Sequence, residues 1–125
     1  MRALFLAPVM LLTLAANNDR DAVAIDKALA GKTAGTTQSC LSGRDAVGMN
    51  VYDGTILFRV SSKLVYRNDV NGCRFLHNDD IIQTNLYGSD RLCRGDIFQI
   101  LDRVSGFPHG SCTFGDFVPY RTPGR

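Results

Sequence analysis

The chain lacks both a long hydrophobic run and a strong excess of charge of one sign. Its longest apolar stretch, residues 3–14, has about a dozen residues, whereas a helix that crosses a bilayer needs roughly 20. The 14 basic and 12 acidic residues leave a formal net charge of only +2, with the basic residues scattered between aspartates. This balance argues against a nucleic-acid partner.

The N-terminal residues are typical of a secretory signal peptide. Arg2 precedes the apolar run, and the small residues Ala15 and Ala16 follow it. Because the first cysteine is Cys40, the cleavage point offers no thiol for a lipid anchor. We therefore predict a signal peptide over residues 1–16 and a mature protein that resides in the periplasm or is secreted, without a membrane span.

The four cysteines lack the CxxC spacing that zinc sites use. In an exported chain of this size, four cysteines predict two disulfides instead of a metal cluster. The chain also has no GxSxG motif. The spacing of its aspartates does not single out two of them as a general acid and a general base. The sequence thus predicts no catalytic residues, no cofactor and a protein that is not an enzyme.

Hydrophobic periodicity predicts a mainly β fold with one short N-terminal helix. Residues 17–39 read as that helix and a connector, because Ile25 and Leu29 fall on one face and Gly31 can end it. From residue 40 to 125 the period changes to two, which predicts one disulfide-stabilised β domain, a small antiparallel meander or barrel of five to six strands. The predicted strands cover residues 47–51, 55–60, 64–68, 80–87, 96–103 and 116–120.

The strand order predicts the disulfide connectivity. In an up-and-down meander, Cys40 and Cys93 both precede odd-numbered strands, whereas Cys73 and Cys112 both precede even-numbered ones. Cysteines at the same end of the sheet can meet. Of the three connectivities, this parity favours Cys40 with Cys93 and Cys73 with Cys112.

Two segments are candidates for function. The loop at residues 104–115 is long, anchored by a cysteine and rich in glycine and aromatic residues, so Phe107, Pro108, His109 and Phe114 form a candidate binding loop or cap the end of the barrel. The densest set of metal-ligand types is His77, Asp79 and Asp80, to which His109 or Asp116 would have to converge. A solvated loop is the simpler interpretation of that second cluster.

The tripeptide Arg94-Gly95-Asp96 is of the kind that adhesion ligands present to integrins. Here it lies between Cys93, which a disulfide should fix, and the alternating pattern that starts at Ile97. Gly95 and Asp96 therefore predict a turn that enters a strand.

Four segments carry a resemblance to a known group of proteins: KALAGKTAGTTQSCL at 27–41, TILFRV at 55–60, LCRGDI at 92–97 and GSCTFGDFVPYR at 110–121. In this order behind a signal peptide, they resemble small exported proteins of Gram-negative bacteria that share a domain of unknown function. The resemblance covers most of the mature chain and implies periplasmic or secreted residence. It brings no catalytic residue to carry over.

These patterns favour a non-catalytic binding or envelope-associated module, monomeric, whose partner is a protein or a small molecule. One alternative is a small metal-dependent hydrolase that uses His77, Asp79 and Asp80. A deep polar pocket that contains these side chains would favour this alternative. The other alternative is an inhibitor of an exogenous hydrolase. A rigid, exposed tip at residues 107–109 would favour the inhibitor role.

Expression of the full chain in a Gram-negative host tests the predicted processing. We expect mass spectrometry of the exported protein to find the mature N-terminus at Ala16 or Asn17, because small residues precede the cleavage point. An uncleaved N-terminus in the cytoplasm would contradict the prediction.

Overall fold

The computed structural model describes residues 16–70, 72–84 and 90–124 as a mainly β, antiparallel fold. The predicted fold class is confirmed: these described residues contain one short helix and two disulfides. No helix in these ranges is long and apolar enough to cross a membrane. The elements are α1 (Ala16–Ala28), β1 (Thr33–Ala34), β2 (Cys40–Ser42), β3 (Met49–Tyr52), β4 (Thr55–Ser61), β5 (Leu64–Asp69), β6 (Ile81–Thr84), β7 (Arg91–Cys93), β8 (Ile97–Leu101), β9 (Pro108–Thr113) and β10 (Phe117–Arg121).

The predicted number and arrangement of strands need correction. The described strands form a five-stranded sheet in the order β1-β10-β5-β4-β3, a three-stranded sheet β6-β8-β9 and a pair β2-β7, and not one meander or closed barrel. Strands β1, β2 and β7 have only two or three residues, too few for a period of two to show. Strand β9 reads as a loop because proline and glycine interrupt it. Most of the predicted signal peptide, and residues 85–87 of the predicted fourth strand, lie outside the described residues.

The five-stranded sheet is the middle layer of the molecule. Along β4 the side chains of Ile56 and Phe58 pack on the face toward the two smaller sheets. Leu57 packs on the opposite face, with Ile25 of α1 and with Leu29, which directly follows the helix. Residues on both faces of the first half of β4 are buried, which explains its uninterrupted apolar run.

Four phenylalanines join the layers on the core side. Phe114 lies among the other three, with ring centroids 4.6 Å from Phe98, 5.9 Å from Phe117 and 6.3 Å from Phe58. Rings at these separations and tilts gain favourable contacts beyond the burial of their area. Phe114 is therefore a core residue, only 2% exposed.

Both predicted disulfides are present. Cys40 and Cys93 are directly paired residues of β2 and β7, while Cys73, from the loop after β5, bonds to Cys112 of β9. The pairing prediction holds although the chain does not follow a simple meander, since β10 returns to lie beside β5. Sequence separations of 53 and 39 residues correspond to about 4 kcal/mol of loop-closure entropy for each bond.

A buried asparagine fixes the chain between β9 and β10. Asn68 has no exposed surface. Its Oδ1 accepts a hydrogen bond from the Gly115 backbone N–H at 2.8 Å, and its Nδ2 donates to the Gly115 carbonyl at 2.9 Å. A Cβ on residue 115 would lie 2.6 Å from the Asp69 carbonyl oxygen, so only glycine fits there.

Replacing Asn68 by alanine should lower the free energy of unfolding by about 2–4 kcal/mol, because two hydrogen bonds to the partly buried backbone of Gly115 are lost. Urea denaturation measures this. Asn50→Ala, at an exposed position of β3, is the control and should change stability little. Equal stabilities of the two variants would contradict the role given to Asn68.

Candidate functional site

Helix α1, the β3–β4 turn and the loop at residues 77–80 meet in a polar corner, defined by Asp21, Asp53, His77 and Asn78. The Asp21 carboxylate, only 8% exposed, accepts hydrogen bonds from the Asp53 backbone N–H at 2.7 Å and from Asn78 Nδ2 at 3.0 Å. Asp53 Oδ1 in turn accepts one from the Asn78 backbone N–H at 2.9 Å. These bonds fasten α1 to the sheet, beneath an open groove of about 570 Å³.

The three predicted metal ligands do not converge. His77 Nδ1 lies 3.8 Å from Asp53 Oδ1, whereas Asp80 Oδ1 lies 3.7 Å from His109 Nε2. The Asp79 carboxylate faces a third partner, Arg103, at 3.3 Å. Within the described ranges no group of three or more His, Cys, Asp or Glu residues could hold a metal ion.

The two residues predicted as a possible fourth metal ligand, His109 and Asp116, lie in different parts of the structure. His109 does reach Asp80, but Asp116 lies elsewhere, 3.0 Å from Arg94. His109 reaches Asp80 from a β-bulge. Ile100 pairs with Gly110 and Leu101 with Pro108, so His109 is the extra residue of β9. Bulges commonly change the direction of a side chain in this way.

The hairpin tip, residues 102–109, closes the β8–β9 hairpin and is held by its own hydrogen bonds. The Asp102 carboxylate accepts bonds from the backbone N–H groups of Val104 and Ser105 at 3.1 and 2.7 Å. The Asp102 N–H donates to the Phe107 carbonyl at 3.0 Å, and Gly106 N–H donates to the Asp102 carbonyl at 2.8 Å. These bonds hold the tip in one conformation.

The tip presents apolar side chains to solvent. Val104 is 95% exposed and Phe107 is 70% exposed, and Pro108 and His109 are exposed beside them. Of the four residues of the predicted binding loop, only Phe114 is buried, so the capping interpretation fits Phe114 and is wrong for Phe107 and Pro108.

The predicted turn at Arg94-Gly95-Asp96 is confirmed. The Asp96 carboxylate accepts a hydrogen bond from the Cys93 backbone N–H at 2.8 Å, and Gly95 has a φ of 92°. The Arg94 guanidinium donates to Asp116. Both charged groups of the tripeptide are therefore engaged by the protein itself.

Sequence reasoning missed the backbone hydrogen bonds of Asp21, Asp53 and Asp102, although the amino-acid composition contains a relevant signal. All 12 acidic residues are aspartate, and none is glutamate. The short aspartate side chain reaches nearby backbone N–H groups in turns, which the longer glutamate does less well. Within residues 16–70, 72–84 and 90–124, five carboxylates accept hydrogen bonds from backbone N–H groups: Asp21, Asp53, Asp80, Asp96 and Asp102.

Hydrogen bonds lower the pKa of Asp102. The Ser105 backbone N–H and hydroxyl contribute most to the lowered pKa. Desolvation opposes them, and the Val104 N–H and the nearby His109 add smaller lowering effects. Because the pKa in the folded state is lowered, the turn is stabilised above the ordinary carboxyl pKa of 3.8 and loses this contribution as the pH falls through the lowered value.

We expect the amide resonances of Val104 and Ser105 to titrate together with a midpoint below 3.8, as measured by NMR between pH 2 and 7. Asp102→Asn is the control and should abolish this titration. A midpoint at or above 3.8 in the native chain would contradict the hydrogen bonding described for the tip.

This chain matches no protein-family model, no curated protein and no solved structure. The polar corner and the hairpin tip differ in how far their functional groups are already bonded within the protein. The corner has its carboxylates bonded internally, whereas the tip leaves apolar side chains free for a partner.

Proposed function

We propose that the protein is an exported, non-catalytic binding module that contacts a protein partner through its hairpin tip. The single observation that carries the proposal is an apolar loop that is both highly exposed and internally hydrogen-bonded. An exposed phenylalanine has a large area to bury on binding, and aromatic residues are enriched among the residues that dominate interface energies.

The fixed conformation of the tip favours tight binding. A loop that must become ordered on association loses conformational entropy, which weakens the complex. Asp102 bonds two backbone N–H groups of the turn, and Ser105 Oγ accepts another from Phe107 at 3.2 Å. These bonds limit the conformations open to the tip, which reduces the entropy lost on binding.

The shape of the tip defines the chemistry of the partner. Val104 and Phe107 protrude from the end of a two-stranded hairpin, so the matching surface is a concave, apolar cleft. Active-site clefts of hydrolases have this form. The rigid, exposed residues 107–109 therefore favour, as a second candidate, an inhibitor that inserts the tip into an exogenous hydrolase.

The positions of the proposed metal ligands do not favour the metal-dependent hydrolase, because His77 lines one open groove whereas Asp79 and Asp80 line another. Its three proposed ligands, His77, Asp79 and Asp80, face three different partners. Export is supported by the signal-peptide pattern and by two disulfides, which persist in oxidising compartments. It also agrees with the resemblance to exported Gram-negative proteins, so residence in the periplasm or outside the cell belongs to the proposal.

Partner capture with matched variants tests the tip. The exported protein is immobilised and exposed to periplasmic extract and to a panel of purified proteases and glycosidases. Val104→Ser combined with Phe107→Ser should lower the affinity for the true partner at least about tenfold, because aromatic contact residues often contribute more than 1 kcal/mol. Thermal denaturation should show that the variant remains folded.

Val47→Ser is the control, since Val47 is 80% exposed in a turn outside the tip. A protein that is retained by the native chain and by this control, but not by the tip variant, supports the proposal. Equal retention by all three chains, or no retained protein at all, contradicts it. Loss of hydrolase activity on binding would select the inhibitor role.

A further inference from the structure

Charged residues are segregated along the five-stranded sheet, although they look scattered in the sequence. Five basic residues lie at one end, called here the basic end, near the β4–β5 turn and the end of α1. Lys63 is in that turn, Arg59 is near the end of β4, and Arg121 pairs with Leu64 across the sheet. Lys32 precedes β1, whose Thr33 pairs with Arg121, and Lys27 lies in the last turn of α1.

Carboxylates gather at the opposite end of the same sheet. Asp21 and Asp53 meet at the β3–β4 turn, and Asp69 ends β5. Basic residues near carboxylates form ion pairs: Arg67, Arg94 and Arg103 each lie within 3.3 Å of an aspartate. None of the ion pairs in the described part of the chain involves a residue of the basic end. In the described residues, the positive charge of the basic end is thus not balanced by any ion pair.

A groove of about 340 Å³ opens into the basic end, beside the last residues of α1. Lys32 and Arg59 line it together with polar side chains of β3 and of the β4–β5 turn. Leu57 and Val65 also border it but are only 3% and 5% exposed. No acidic residue lines it. The side chains that can donate hydrogen bonds are Lys32, Asn50, Tyr52, Arg59, Ser61 and Ser62.

We propose that this groove binds a phosphate ester of a small organic molecule. A phosphate has three terminal oxygens that accept hydrogen bonds, which suits a donor-rich lining better than a carboxylate with two. Arginine bonds phosphate through its planar fork and lysine acts as a point charge. The half-buried Tyr52, which also lines the groove, gives the organic part an aromatic ring to contact. This site is separate from the hairpin tip and does not depend on the proposed function.

NMR titration of the disulfide-bonded protein tests the site with three probes: glucose 6-phosphate, inorganic phosphate and glucose. Glucose 6-phosphate should shift the amide resonances around the groove more strongly than phosphate does, and glucose should shift none. Co-sedimentation with vesicles that contain phosphatidic acid forms a second arm, because a lipid headgroup can supply the same phosphate monoester.

Lys32→Gln and Arg59→Gln should each weaken binding at least about tenfold, because each removes a hydrogen bond between charged groups. Lys63→Gln and Lys27→Gln remove the same charge from the basic end without touching the groove, and should change binding far less. Thermal denaturation confirms that the variants fold.

Groove-dependent binding of glucose 6-phosphate supports the proposal with a soluble ligand. Groove-dependent binding of the vesicles alone supports it with a lipid headgroup as the source. Equal losses in the groove variants and the controls would mean that only general electrostatic attraction operates, which overturns the proposal, as does the absence of binding in both arms.

Discussion

The contact between Phe114 and the other three core phenylalanines is the constraint on which the rest of the structure depends. Phe58 and Phe117 belong to the five-stranded sheet, and Phe98 belongs to the three-stranded sheet, so Phe114 joins two sheets that share no backbone pairing. Loss of a buried phenylalanine side chain typically costs about 3–5 kcal/mol. The backbone at this point is fixed twice: the Phe114 carbonyl accepts from Gly95 N–H, and the next residue is held by Asn68. The β8–β9 hairpin, and with it the exposed tip, therefore has a fixed position relative to the sheet.

The features that hydrophobic patterning predicts are those that bury apolar side chains at regular spacing. The runs in β4, β5 and β8 are long enough to show a period or a buried stretch, and Ile25 and Leu29 mark the buried face of α1. The short strands β1, β2 and β7 exist because neighbouring strands supply their partners, which a local pattern cannot show. Strand β9 could not be recognised from its sequence for another reason, since it contains Pro108 and Gly110, which are uncommon in strands. The two residues are tolerated because, among the described strands, β9 pairs only with β8.

The candidate sites show the same difference between features that a local sequence pattern can predict and features that it cannot. Phe107, Pro108 and His109 could be identified as a candidate binding loop or cap because aromatic, proline and glycine residues cluster locally. Asp21 with Asn78, or Lys32 with Arg59, could not, because 57 and 27 residues separate the members of each pair and only the packing of α1 on the sheet brings them together. The net charge of the chain likewise hides its charge distribution. A nearly neutral sum is compatible with a molecule whose opposite ends attract opposite ions.

The bulge at His109 also bears on self-association. An edge strand offers a row of unpaired N–H and C=O groups to which a strand of another molecule can add, and such addition is the first step of fibril growth. An added strand needs a regular row of donors and acceptors. In β9 the extra residue breaks that row, and Pro108 has no N–H to contribute. The residue that aims an imidazole at Asp80 thus also protects the exposed side of this sheet against templated aggregation.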